Sequence, residues 1–225
     1  MKILFVSATY LEIAPFLQFL GITQKKEQNF YELQYGDFQI DVLITGVGIV
    51  HTTFQLGRLL LQKSYKLAIN VGIAGSFNHQ IKTGQVFRVQ SEVFGDMGAE
   101  DNEVFIPLND MDFFDKNQFP YQNGRLFSSH NPLFSILQNL KTVSAITVNR
   151  VSGKKSSIEE AKKLFNPDIE SMEGAAFFYC CMMSNQPFIE LRAISNYVEV
   201  RNKSNWQISL AVENLNQLLI EMVNG

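Results

Sequence analysis

Carboxylates stand at two places where the surrounding residues are apolar. Glu12 comes soon after the run Ile3–Ser7, among Leu11, Ile13 and Ala14, where a strand gives way to a helix. A carboxylate at such a turn can act as a general base or acid; in the first turn of a helix it also simply favours the dipole. Glu170 and Glu173 interrupt a second apolar passage, Glu170-Ser171-Met172-Glu173-Gly174, just before an apolar helix. A carboxylate accepts two hydrogen bonds side by side, which suits a sugar diol, and Glu173 would be costly if buried without a partner. A third concentration of polar groups, Arg192-Ala193-Ile194-Ser195-Asn196-Tyr197-Val198-Glu199-Val200-Arg201, lies at the end of an apolar strand and is denser than packing alone explains.

Glycines mark two further points. Thr45-Gly46-Val47-Gly48-Ile49-Val50-His51 begins as the dinucleotide fingerprint does, but His51 stands where its third glycine belongs. The segment Lys63–Lys66 is basic where that fingerprint would lead to an acidic residue, so a Rossmann dinucleotide site is disfavoured and a backbone approach to another polar ligand stays open. Gly72-Ile73-Ala74-Gly75 follows the run Leu67–Val71 and reads equally as a tight turn or as bare backbone that a ligand can approach. No metal centre is expected: His51, His79 and His130 are scattered and no CxxC occurs. Cys180 and Cys181 are adjacent, a poor geometry for a bridge. Beside Met182 and Met183 they read as buried thiols in a reducing compartment.

These groups need elements to hold them. Strands are expected at Ile3–Ser7, Phe30–Tyr35, Phe38–Ile44, Leu67–Val71, Val86–Phe94, Val143–Val151, Ile169–Met172 and Phe188–Ile194, from short apolar or β-branched runs. Gly36-Asp37 between the second and third signals a hairpin. Helical spacing is expected over Leu11–Leu20, Val50–Gln62, Asn131–Leu140, Ser157–Leu164, Gly174–Ser184 and Trp206–Val223, the fifth apolar all round and therefore buried. Residues Gly95–Gln122 are the least regular stretch and the best candidate for a functional loop. Alternation of strands and helices predicts an α/β fold with a mostly parallel sheet. In such folds ligands sit at the carboxyl ends of the strands, where all five polar stretches fall.

Composition narrows the function classes. Of 225 residues 46% are hydrophobic, enough for a large core, and only 18% are charged, which argues against disorder. Nineteen Lys and Arg against 22 Asp and Glu give a net charge of −3 with no long run of one sign. That speaks against nucleic acid and anionic membrane as partners. No apolar run reaches the roughly 18 residues of a membrane span, and the N-terminal run is too short for a signal peptide, so a cytoplasmic protein is expected.

Taken in order, Glu12, the Thr45–Gly48 turn, Gly72–Gly75, Ser171-Met172-Glu173-Gly174 and Arg192–Asn196 resemble the nucleoside phosphorylase/hydrolase superfamily, and within it the methylthioadenosine/S-adenosylhomocysteine nucleosidases. Gly95-Asp96-Met97-Gly98-Ala99-Glu100, and Ser195–Arg201 followed by Trp206, are similar to the futalosine hydrolases of menaquinone biosynthesis in particular. The resemblance spans essentially the whole chain. It implies one domain over residues 1–225, a three-layer α/β/α sandwich around a mixed, mostly parallel sheet. By position, it implies that Glu12 activates the attacking water and that Thr45 and Arg192 help to hold it. Met172 packs under the ribose, Glu173 binds its hydroxyls, and Gly75 and Ser195 belong to the substrate-binding set. Ser156 and the backbone around it fall where the nucleosidases hold the base, although the aromatic expected there is absent. The implied enzyme needs no metal or organic cofactor, takes a small purine nucleoside, and forms a homodimer or higher homo-oligomer.

Asn196 departs from the adenine-releasing nucleosidases, which place Asp there. An amide offers one acceptor and one donor group, matching the N7–H and O6 of a departing 6-oxopurine, whereas adenine turns an amine toward the amide NH₂. Mispairing costs roughly 1–3 kcal/mol, so hypoxanthine is favoured over adenine. Futalosine also carries an aromatic carboxylate beyond C5′, for which Phe94, Phe105, Phe113 and Phe114 offer ring contacts and Arg88 or Arg201 a charge. Three alternatives are weighed: a purine nucleoside phosphorylase, an adenine-directed aminofutalosine or methylthioadenosine nucleosidase, and a nucleoside-binding module without turnover.

Overall fold

β1 (Lys2–Ser7) alternates its side chains between two apolar environments: Ile3 and Phe5 join one core cluster, Leu4 and Val6 another. A strand apolar on both faces must lie inside a sheet covered on both sides, and the computed structural model, which describes residues 1–24, 29–128 and 133–225, places it so. α1 (Tyr10–Phe19) follows, then β2 (Phe30–Tyr35) and β3 (Phe38–Ile44), paired antiparallel around Gly36 as the hairpin signal requires. Next come α2 (Ile49–Leu60), β4 (Leu67–Ser76), β5 (Val86–Phe94), the small hairpin β6 (Gly98–Asp101) and β7 (Val104–Pro107), β8 (Leu126–Phe127) and the one-turn α3 (Ser135–Gln138). β9 (Thr142–Thr147), α4 (Lys155–Phe165), β10 (Ile169–Ser171), α5 (Gly174–Met183), β11 (Phe188–Tyr197) and α6 (Ile208–Asn224) complete the chain.

The main sheet runs β10-β9-β5-β11-β4-β1-β3-β2, with β8 beside β5. It is mixed and mostly parallel: β1 pairs parallel with β3 and β4, β4 with β11, and β9 with β5 and β10. α1 and α6 pack against one face, around Phe5, Phe16, Ile69 and Leu215. α2 and α5 cover the other, around Leu4, Leu56, Phe177 and Phe188. The sheet does not stay open at one end. β10 pairs with β9 on one side and antiparallel with β4 on the other, so β4, β11, β5, β9 and β10 curl into a partly closed barrel.

Two local expectations are corrected. Gly72–Gly75 is not a turn: β4 continues to Ser76, because Gly72 to Ala74 pair with Arg192 to Ile194 and Gly75 pairs with both Asn196 and Glu170. Residues 95–122 are not wholly irregular but contain the β6–β7 hairpin. The helix expected over 131–140 is reduced to α3, and its first two residues lie outside the described residues, as does His130. α5 is buried over Gly174–Phe178 and at Cys180 and Cys181, as its all-apolar sequence demands, while Met183 at its end is exposed; both cysteines are free thiols. Among the described residues no helix is long and apolar enough to cross a membrane, and no cluster could hold a metal ion.

Candidate active site

Glu12 is held by the end of its own helix. Thr9 is the N-cap: its N–H and hydroxyl donate to Glu12 Oε2 at 3.0 and 2.7 Å, while the Glu12 N–H returns to Thr9 Oγ1, a reciprocal capping box. The other carboxylate oxygen, Oε1, accepts from the Ile73 N–H of β4 at 3.0 Å. Pro15 lies inside α1, where a helix loses a donor. Next to it the buried Asn216 of α6 inserts its amide into the helix, accepting from the Phe16 N–H at 3.0 Å and donating to the Glu12 carbonyl at 2.8 Å. These are the two groups that would otherwise bond to each other, so α6 fixes the turn that carries Glu12.

Gly72 lets the next component approach. A Cβ there would stand 2.2 Å from Arg192 Nη1 and 2.8 Å from Glu12 Oε1, so the guanidinium and the carboxylate face each other over bare backbone. Arg192 is 1% exposed, and its Nε meets Glu190 Oε1 at 2.7 Å. Glu173, the N-cap residue of α5, does not cap its helix but turns to accept from the Gly48 N–H at 2.9 Å. That donor is presented by the Thr45–Gly48 turn, where Gly46 and Gly48 hold φ of +91° and +95°. Burial raises the Glu173 carboxyl, Arg192 and the Gly48 N–H pull it back, and Glu12 pushes it up again. Burial works against the charge on Arg192, but Glu190, Glu173, Glu12 and Glu92 outweigh it and raise its pKa. Beneath lies Glu92, fully buried, accepting from Thr147 Oγ1 at 2.9 Å. Its Oε1 and that of Glu190 converge on one point, 1.9 and 2.7 Å from where a Cβ on Gly174 would sit. Burial first, then Glu190, drives the Glu92 carboxyl well above the usual range.

A β-bulge at Ser195 shifts the register of β11, so that Asn196 comes opposite Gly75. A Cβ on Gly75 would stand 3.2 Å from Asn196 Nδ2. Ser195 Oγ donates to Asn196 Oδ1 at 2.8 Å, and Asn196 Nδ2 donates to the Tyr197 carbonyl at 2.9 Å. On the other side of Gly75, Glu170 accepts from the Ser152 N–H at 2.8 Å and hydroxyl at 2.5 Å. Burial raises the Glu170 carboxyl and the two Ser152 donors lower it. A cavity of about 950 Å³ opens between the β6–β7 hairpin and α4, with Ile146, Ser152, Ser156 and Arg201 in its wall.

The sequence-predicted residues thus fall into two groups. Glu12, Glu173 and Arg192 converge around Gly72 and Gly48; Thr45 is buried in the same turn, its hydroxyl donating to the Gly46 carbonyl at 2.8 Å. Gly75, Ser195 and Asn196 form the second group. Met172 is half-buried beside Glu173. Ser156 is exposed in the first turn of α4, on the cavity wall and apart from the carboxylates. Of the two arginines considered for a distal charge, Arg201 lines the cavity, while Arg88 lies on β5 opposite Leu191 and does not. Phe105 lines the cavity, and Phe113 is 81% exposed. Residues missed from the sequence are Glu190, Glu92, Asn216 and Ser152. Glu190 carried a signal, since Glu-x-Arg in a strand puts both side chains on one face; Glu92 and Asn216 are brought in only by tertiary packing.

Residues 2–224 match the sequence profile of the family described as the phosphorylase superfamily. A futalosine hydrolase of Thermus thermophilus is 28% identical over 222 residues, covering 94% of this chain and 91% of that protein. An aminodeoxyfutalosine nucleosidase of Campylobacter jejuni is 25% identical over 207 residues, covering 87% and 86%. Among solved structures, the 5′-methylthioadenosine/S-adenosylhomocysteine nucleosidase of Helicobacter pylori with butyl-thio-DADMe-Immucillin-A superposes with a TM-score of 0.80 at 20% identity, covering 100% of this chain and 98% of the other. A futalosine hydrolase mutant from the same organism also gives 0.80 at 20% identity, covering 100% and 99%.

Proposed function

The chain belongs to the phosphorylase superfamily, and from that premise we propose that it is a nucleosidase that hydrolyses the N-glycosidic bond of futalosine in menaquinone biosynthesis, releasing hypoxanthine. The observation that carries the reading is Glu12 held over Gly72 by three donors, facing Arg192. Water placed between Glu12 and the sugar gives its proton to the Glu12 carboxylate as its oxygen bonds to C1′. The C1′–N9 bond breaks, its electron pair leaves on the purine, the purine takes a proton from solvent to become hypoxanthine, and Glu12 returns its proton to solvent. Glu173 holds the ribose hydroxyls, Met172 packs against the ring, and Thr45 and Arg192 orient the water, so that the attack is in line. Asn196, steadied by Ser195, stabilises the negative purine, with Gly75 under the base and Ser156 at the outer edge of its pocket.

Hydrolysis is favoured over phosphorolysis by charge. A phosphate site needs several fixed donors, and Arg192, which already faces Glu190, shares its surroundings with the carboxylates of Glu12 and Glu173. The reading takes residues 1–225 as one domain with helices on both sides of the sheet, cytoplasmic and without metal or organic cofactor. It further takes the chain as a homodimer or higher homo-oligomer, in keeping with Val50, Phe54 and Leu61 exposed on and beside α2.

The test is incubation with futalosine, inosine, methylthioadenosine and aminodeoxyfutalosine, with and without phosphate, following free base by chromatography. Phosphate-independent hypoxanthine from futalosine is expected, and Glu12→Gln should abolish turnover while ligand binding persists. Phosphate-dependent release from inosine would make the protein a phosphorylase. Binding without turnover in the unaltered protein would make it a nucleoside-binding module.

A further inference from the structure

The base end of the site has a polarity that the roles above leave unassigned. Asn196, Gly75, Glu170 and Ile146 lie opposite one another on β11, β4, β10 and β9. Directly paired residues project to the same face, and on that face Ile146 and Ser152 belong to the cavity wall. Neighbouring strands are about 4.8 Å apart, so Asn196 and Glu170 stand about 10 Å from each other across Gly75, over which Val198 and the Asn196 amide lean. Ser152 gives both its N–H and its hydroxyl proton to Glu170. With its one proton given to Glu170, Ser152 Oγ has only lone pairs left for the cavity. On the near side, Asn196 Oδ1 accepts from Ser195 and one Nδ2 proton goes to Tyr197, which leaves the second Nδ2 proton for the base.

We infer that Ser152 is a specificity-determining residue of this site, its hydroxyl oxygen accepting the ring N–H that a 6-oxopurine carries at N1 and opposing the lone pair that a 6-aminopurine carries there. Glu170 acts through Ser152 and is a positioning residue. The inference rests on the nucleosidase reading and assigns the choice of base to two residues outside its catalytic set. Lone pair against lone pair leaves a buried hydrogen bond unmade, which at an enzyme site discriminates by roughly 10- to 100-fold.

The experiment compares kcat/KM for futalosine and aminodeoxyfutalosine, which differ at the purine 6-position, in the unaltered enzyme and in Ser152→Ala, Ser152→Thr and Glu170→Gln. The unaltered enzyme should prefer futalosine. Ser152→Ala and Glu170→Gln should cut that preference by about tenfold or more through loss on futalosine alone, and Ser152→Thr, which keeps the hydroxyl, should retain it. Equal losses on both substrates would mean a merely structural role and overturn the inference. Calorimetric binding of hypoxanthine and adenine to the unaltered protein separates the two levels. Tighter hypoxanthine without turnover would sink the nucleosidase reading and leave the base selection standing. Adenine bound as tightly as hypoxanthine would overturn the selection, whatever the variants do.

Discussion

Replacing Gly72 with alanine puts one methyl group between the two groups that the mechanism requires to face each other. The new Cβ would stand 2.2 Å from Arg192 Nη1 and 2.8 Å from Glu12 Oε1, both shorter than any contact a Cβ tolerates. Restoring van der Waals distance requires the guanidinium to retreat by about 1 Å and the carboxylate by somewhat less. Neither has free space. Arg192 is buried and paired to Glu190, and Glu12 is tied to Thr9 and Ile73. Overpacking of this kind costs about 1–3 kcal/mol of stability, which for a chain of this size lowers Tm by about 2–12 °C. The effect on chemistry is larger, because misplacing a catalytic group by about 1 Å costs about 100-fold in rate. Futalosine turnover by Gly72→Ala, measured at a temperature well below its melting transition, should fall by about that factor in kcat with a smaller change in KM. A folded variant with kcat within about threefold of the parent would refute the placement of the reacting water between Glu12 and Arg192.

Three other perturbations follow from single residues. Asn216→Ala leaves the Phe16 N–H and the Glu12 carbonyl without their buried partner, so it should destabilise by about 2–4 kcal/mol and lower Tm by about 5–15 °C in circular dichroism. A change under about 2 °C would mean that α1 closes the bond itself. Glu92 has a folded pKa raised above its ordinary 4.5, by burial and by Glu190. The native state therefore holds a proton that the unfolded chain has lost, and stability falls as pH climbs from 4.5 toward the raised value. Glu92→Gln removes this penalty while its carbonyl can still accept from Thr147, so its Tm should gain on the parent as pH climbs through that range; a pH-independent difference would count against the assignment. Asn196→Asp should raise adenine release from aminodeoxyfutalosine relative to hypoxanthine release from futalosine by about tenfold, since the amide no longer supplies the donor. An unchanged ratio in a base-release assay would take Asn196 out of base recognition.

Much of the fold was legible because it is written in local periods. The hairpin Phe30–Tyr35/Phe38–Ile44 forms with the expected bounds, since alternation and the Gly36 turn both act over a few residues. α5 is buried because it has no polar face to expose. The closure of the sheet was not legible: β10 is three residues long, and its second pairing, with β4, is fixed by contacts nearly a hundred residues apart. For the same reason Gly72–Gly75 reads equally as a turn or as bare backbone, since two glycines weaken a strand on its own and only pairing to β11 extends it. In the site, Glu12, Glu173 and Arg192 were visible as charges in apolar surroundings. The groups that hold them were not. Asn216 is one polar residue in an amphipathic helix, and nothing near it shows that its amide enters a helix 200 positions away.

The bulge at Ser195 explains why two kinds of chemistry can share one strand. Up to Ile194, β11 pairs evenly with β4, so Glu190, Arg192 and Ile194 share a face with Asn70, Gly72 and Ala74. That face meets the start of α5, where Glu173 stands and Glu92 reaches in from β5. Had the pairing continued without interruption, Asn196 would project to the same face and its amide would join an already crowded set of charges. The extra residue puts Asn196 opposite Gly75 instead, on the face of Val198 and Ile146 that opens to the cavity. In the proposed reading, one inserted residue therefore separates the carboxylates assigned to sugar and water from the amide assigned to the base.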